Sequence, residues 1–132
     1  MKNFSSKLSA SQQAERLLPP QRRVKAVLDT DAYNEIDDQF AILYAMLSPE
    51  KIDLQAIYAA LFYNGRSSSP ADGMEKSYQE ILKICGLTGR DPEGFVFRGC
   101  RAPLEGPELP QESEAVNDLI RKARQASPDD PL

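Results

Sequence analysis

The sequence predicts an α/β fold in which an open, mostly parallel sheet carries helices on both faces. Three observations predict it. Short aliphatic runs alternate with longer stretches of helical periodicity, in the order strand, helix, strand, helix, strand, helix. The run Leu54 to Leu61 is apolar at nearly every position, as a strand covered on both faces requires. The 132 residues are 41% hydrophobic and 27% charged, the composition of one foldable domain rather than a disordered or disulfide-built chain. Successive strands joined through helices are expected to lie parallel, with right-handed crossovers.

Residues 1–23 are polar, rich in Ser and Gln, and end at Pro19 and Pro20, so they read as a tail that buries little. Residues 24–132 are the α/β domain. Val24 to Leu28 is its first strand, stopping at the acids that begin with Asp29. Ile36, Phe40, Leu43, Tyr44 and Leu47 recur at helical spacing, an amphipathic stripe for a helix to turn inward, and Ser48 with Pro49 closes it. Leu54 to Leu61 is the second strand, followed by a loop from Phe62 to Ser69. Ser69 and Pro70 stand as N-cap and first residue of a second helix, whose Met74, Tyr78, Ile81, Leu82 and Cys85 share one face until Gly86 and Gly89. Phe95 to Phe97 is a short third strand. After a proline-rich connection from Ala102 to Pro110, Val116, Leu119, Ile120 and Ala123 mark a third helix. Three parallel strands make a narrow sheet, and Ser127 to Leu132 stands where another strand would begin. The domain is therefore expected to be incomplete.

Lys and Arg number 16 against 20 Asp and Glu, a net charge of −4 with no basic stripe, so a nucleic-acid partner is not expected. The longest apolar run, Ala56 to Tyr63, is far shorter than the roughly 20 residues of a membrane span. The first ten residues show no secretory pattern, so a cytoplasmic location is the expectation. Cys85 and Cys100 have no metal spacing and read as small apolar residues. With no histidine, the Ser/His and Cys/His nucleophile systems are excluded. Chemistry here must rest on carboxylates.

Five acids fall within ten residues at the exit of the first strand: Asp29, Asp31, Glu35, Asp37 and Asp38. That is where open α/β sheets bind ligands. Two carboxylates about 5 Å apart repel by about 3 kcal/mol at an effective dielectric near 20, and a hard divalent cation relieves such crowding. Acids in a helix's first turn also complement its dipole, an ordinary role for Asp37 and Asp38. Asp29 and Asp31, spaced by two, are not explained that way. An EF-hand is excluded, since counting from Asp29 the sixth position is Asn34 and the twelfth is Phe40. Asn64 and Arg98 follow the second and third strands and come towards the same edge. A turn role for Asn64 and a surface ion pair for Arg98 are the plainer alternatives.

The run Val27, Leu28, Asp29, Thr30, Asp31, followed by Asp37, Asp38, Gln39, Phe40, Ala41 and Ile42, resembles the N-terminal signature of the nucleoside hydrolases, the inosine-uridine preferring nucleoside N-ribohydrolase family. Leu54 to Asn64 and Arg98 to Leu104 are similar to two further stretches of that family, so the likeness spans about Val24 to Leu104. It implies a Rossmann-like hydrolase that uses calcium to cleave the N-glycosidic bond of a ribonucleoside to ribose and free base, in purine and pyrimidine salvage. By position, Asp31 would bind calcium and act as general base, Asp38 would be a second calcium ligand, Asp37 and Asn64 would hold the ribose, and Asp29 would support the cluster. The family's Pro-Gly turn is replaced by Ala32 to Ile36, longer by two residues. The family draws further calcium ligands, a histidine and part of its leaving-group pocket from C-terminal residues this chain lacks. This implies a truncated N-terminal part, inactive alone, of an enzyme that is a homo-oligomer at full length. Two rival readings remain. One is a haloacid-dehalogenase-like phosphatase with Asp29 as nucleophile and Asp31 as acid or base, against which Tyr33 counts; the other is a non-catalytic divalent-ion-binding module.

Overall fold

The computed structural model describes residues 8–127 and 129–132. Within them the chain runs α1 (Ala10–Arg16), β1 (Val24–Thr30), α2 (Ile36–Met46), β2 (Ile52–Ala59), α3 (Pro70–Thr88), β3 (Val96–Arg98) and α4 (Glu114–Gln125). The strands form one parallel sheet in the order β1-β2-β3, which bears out the expected small α/β fold. Gln55 is an extra residue, because Ala26 pairs with Leu54 and Val27 with Ala56. Beyond that bulge the two strands stay in register to Thr30 and Ala59.

Period-two alternation sorts β2 between two cores. Ile57 and Ala59 meet Ile42 of α2 and Met74, Ile81, Ile84 and Cys85 of α3. Ala56 and Tyr58 lie with Val27, Phe97 and Ala115 of α4. Helices therefore cover both faces, α2 and α3 on one and α4 on the other. α3 starts and stops where expected: the Ser69 hydroxyl accepts the Asp72 N–H at 3.1 Å, Pro70 occupies the first turn, and Gly89 closes the helix at φ 69°.

Several expectations are corrected. The tail contains α1, closed by a reciprocal Ser9–Gln12 capping box, though none of its residues is buried. Its first seven residues lie outside the described residues. β1 runs two residues further than expected, so Asp29 and Thr30 belong to the strand. β2 begins and ends two residues early, and β3 is displaced by one. The α2 stripe faces outward: Ile42 is the buried residue, Leu43 and Met46 pack beside it, and Ile36, Phe40, Tyr44 and Leu47 are exposed. α4 forms as expected. Ala115 and Asp118 are buried while Leu119 and Ile120 stay exposed, because the seat offered by the sheet is the Tyr58 hydroxyl, which donates to Asp118 at 2.8 Å. Cys85 is buried as expected, whereas Cys100 is only half-buried, and both are free thiols. Among the described residues no helix is long and apolar enough to cross a membrane.

Candidate functional site

β1 delivers Asp29 and Thr30 to the carboxyl edge of the sheet on opposite sides. Asp29 lines a cavity of about 260 Å³ on the α4 face, together with Tyr58, Leu61, Gly99, Cys100 and Leu119. Thr30 points the other way, is buried, and donates its hydroxyl to Oδ1 of Asp38 in the first turn of α2. Asp31 follows in the turn, where its Oδ2 accepts from Asn34 Nδ2 at 2.9 Å and its carbonyl accepts the Asn34 N–H at 2.7 Å. Asn34 Oδ1 in turn accepts from Asn64 Nδ2 at 2.5 Å.

Of the residues expected at the site, the structure thus links Asp31 to Asn64 through Asn34, and fastens Asp38 to β1 through Thr30. Asn64 also fills its turn role, its Oδ1 accepting the Arg66 N–H at 2.9 Å. Asp37 is exposed in the first turn of α2, and its side chain makes no hydrogen bond or ion pair among the described residues. Arg98 does not join the acids: it grips Glu75 with two hydrogen bonds of 2.8 and 3.0 Å and stacks 3.7 Å from the centre of the Tyr78 ring. Glu75 is held down to about 2 by those Arg98 hydrogen bonds and by one from Gln79. The ion-pair reading of Arg98 is the correct one.

Thr30 and Asn34 were not singled out from sequence. Thr30 was legible in principle, since a hydroxyl between Asp29 and Asp31 must point away from both, towards the first crossover helix. Asn34 was not, because its role depends on a turn geometry that only the folded chain sets.

The electrostatics are those of a partly shielded acidic edge. Asp29 keeps an open side, yet the cavity wall strips enough water from its carboxyl to raise its pKa, and the charge of Asp31 raises it further. Asp31 and Asp38 are each satisfied by a neutral donor at one oxygen, and no described Lys or Arg forms an ion pair with either. Arg66 bonds the carbonyl of Asn34, so this cation anchors the turn itself. These hard oxygen donors have the right chemistry for calcium, which takes about six to eight of them. Only part of such a shell is present: among the described residues no three His, Cys, Asp or Glu side chains converge on one point. A wider, open depression of about 740 Å³ lies elsewhere, beside β3 between α3 and α4. Of its charged walls, Arg98, Asp118 and Arg121 are already in ion pairs, and Glu114 accepts the Arg98 backbone N–H.

No family model, no curated protein and no solved structure matches the chain.

Proposed function

We propose that this chain carries the carboxylate part of a calcium-dependent nucleoside hydrolase that cleaves a ribonucleoside to ribose and free base. The observation that supports this best is the disposition of Asp31 and Asp38 at one end of the parallel sheet, each with one oxygen engaged by a neutral partner and the other uncommitted. The sequence resemblance supplies the roles. The sheet order, with β1 at an edge and helices on both faces, suits the first half of a Rossmann-like domain.

Asp31 and Asp38 would hold the ion, whose charge when bound lowers the pKa of a water. Asp31 takes the proton of the attacking water as general base. Asp37 and the Asn64 amide hold the ribose hydroxyls, and Asn34 orients both Asp31 and Asn64. As the N-glycosidic bond breaks, the electron pair leaves with the base, which takes a proton from solvent, the water oxygen joins the anomeric carbon, and the proton Asp31 removed from that water returns to solvent. The sugar passes through an oxocarbenium-like centre, and the negative charge of Asp31, with Asp29 behind it, favours that developing cation.

Because the donor shell is partial, the chain alone is expected to bind calcium without turnover, and a longer form that adds the remaining ligands is expected to release base from inosine or uridine. Calorimetric titration should show calcium binding that Asp31→Asn and Asp38→Asn each weaken, with far-UV circular dichroism unchanged. In the longer form Asp31→Asn should lower kcat by about 10²- to 10⁴-fold, the range for loss of a general base. Absence of calcium binding, or phosphate release from p-nitrophenyl phosphate with magnesium in place of base release, would overturn the reading.

A further inference from the structure

At the opposite end of the sheet from the acids, where β1 and β2 begin, a cavity of about 250 Å³ lies beside the C-terminal end of α2. Met46, Leu54 and Phe95 are among its apolar walls, and Arg23, Asp53, Gln55 and Arg90 supply its polar groups. Arg90 is held in two ways. Its backbone N–H closes the end of α3 on the Cys85 carbonyl at 2.9 Å, and its guanidinium carbon lies 4.2 Å from the centre of the Phe95 ring. That side chain makes no hydrogen bond or ion pair among the described residues. Arg23 gives Nη2 to Asp53 Oδ1 at 2.7 Å, while its Nε and Nη1 have no partner among the described residues. Gln55 is the extra residue of the β2 bulge. Leu54 and Gln55 would face opposite sides of a regular strand, yet both line this cavity, and the Gln55 amide has no hydrogen bond among the described residues.

We propose that this cavity binds a small oxyanion of the phosphate class, inorganic phosphate or a phosphomonoester, between Arg23 and Arg90 with the Gln55 amide as a further donor. Two guanidinium groups against the one carboxylate of Asp53 leave an excess positive charge, and both present uncommitted N–H groups of the geometry that oxyanions accept. Three donor groups on separate elements suit a tetrahedral anion, whose oxygens point several ways. A planar carboxylate is satisfied by one fork. The stacking of Arg90 on Phe95 fixes its guanidinium before any ligand arrives, which lowers the entropy lost on binding. The volume is below that of sites for drug-sized molecules, so the occupant is compact. An arginine after α3 also complements the dipole at that helix end, and the same dipole disfavours an anion there. That role accounts for one positive charge, but not for an unpaired guanidinium sharing a cavity with a second one and with an unpaired amide re-aimed by a bulge. None of these residues touches Asp31 or Asp38, so the proposal stands apart from the calcium reading.

Calorimetric titration of the chain with inorganic phosphate, at ionic strength held constant with chloride, tests it. Binding should saturate with one site per chain. Arg90→Gln should weaken it about tenfold and Gln55→Leu about threefold, as loss of a charged and a neutral hydrogen bond implies. Asp53→Asn removes the competing carboxylate and should tighten binding about threefold, a gain that damage to the fold does not produce. Arg124→Gln, at a basic residue in the last turn of α4 away from the cavity, should leave the constant unchanged. Tighter binding of glycerol phosphate than of inorganic phosphate identifies a phosphomonoester as the ligand, and the reverse identifies the free ion. Binding that does not saturate, acetate bound as tightly as phosphate, equal losses in Arg124→Gln and Arg90→Gln, or weaker binding by Asp53→Asn would each overturn the proposal.

Discussion

At Gly73 there is no room for a side chain. A Cβ there would stand 2.0 Å from the carbonyl oxygen of Phe62, so the first turn of α3 rests directly on the loop after β2. Alanine is the better helix former by about 1 kcal/mol, yet the clash is with backbone, and overpacking of this kind costs about 1–3 kcal/mol or more. Gly73→Ala is therefore expected to lower stability in a urea melt. Asp29 gives a prediction with a sign. Its raised pKa means that the folded chain binds a proton more readily there than the unfolded chain does. Stability from this group is present at low pH and declines as pH rises from the ordinary carboxylate value to the raised one. Asp29→Asn removes that decline, so the variant should gain melting temperature over wild type at pH 7 and lose the advantage near pH 3.

At the scale of elements, α4 is fastened by one carboxylate. Asp118, 6% exposed, accepts from the Tyr58 hydroxyl and pairs with Arg121 and Lys122. Burial acts to raise its pKa, but the hydrogen bonds from Lys122, Tyr58 and Arg121 outweigh it and hold the group ionised. Lys122 also lies 5.3 Å from the centre of the Phe97 ring, so the network ties α4 to both β2 and β3. Asp118→Ala leaves the Tyr58 hydroxyl and Lys122 without their partner, and a loss of about 1–3 kcal/mol is expected in chemical denaturation. Tyr58→Phe should cost less, and the double variant less than the sum, because both remove the same contact. Val116, Leu119, Ile120 and Ala123 mark the helix in sequence, but Ala115 and Asp118 are its buried residues. Periodicity reports where apolar residues lie on a helix, while a buried hydrogen bond decided which side was seated.

For the whole molecule, the acids Glu75, Asp118, Asp72 and Asp130 all have pKa values lowered in the fold, chiefly by hydrogen bonds from Arg98, Lys122, Lys76 and Lys25 respectively. Each contributes stability that is present above the ordinary carboxylate pKa and lost as pH falls towards the lowered one. Acid unfolding should set in below about pH 4, and Glu75→Gln should flatten that slope, most clearly between pH 4.5 and about 2, where wild-type Glu75 takes up its proton. α1, with no buried residue, stands apart from this cooperative unit. Removal of residues 1–16 should change unfolding free energy by no more than about 0.5 kcal/mol.

The alternation of aliphatic and helical segments settled the parallel α/β sheet, and the positions of Asp29, Asp31, Asp37 and Asp38 along the chain put them around the exit of β1. Those are local properties: strand and helix periods, caps such as Ser69 with Pro70, and the strand-end position of acids are written residue by residue. What each side chain then touches was decided only by the tertiary structure. Thr30 holds Asp38, Asn34 joins Asp31 to Asn64, Arg98 turns to Glu75 rather than to the acids, and α2 keeps its apolar stripe in water. The physical reason is that these pairings join separate elements or depend on the path of a turn, and their energy exists only once the β2 bulge and the helix seats have fixed the distances between them.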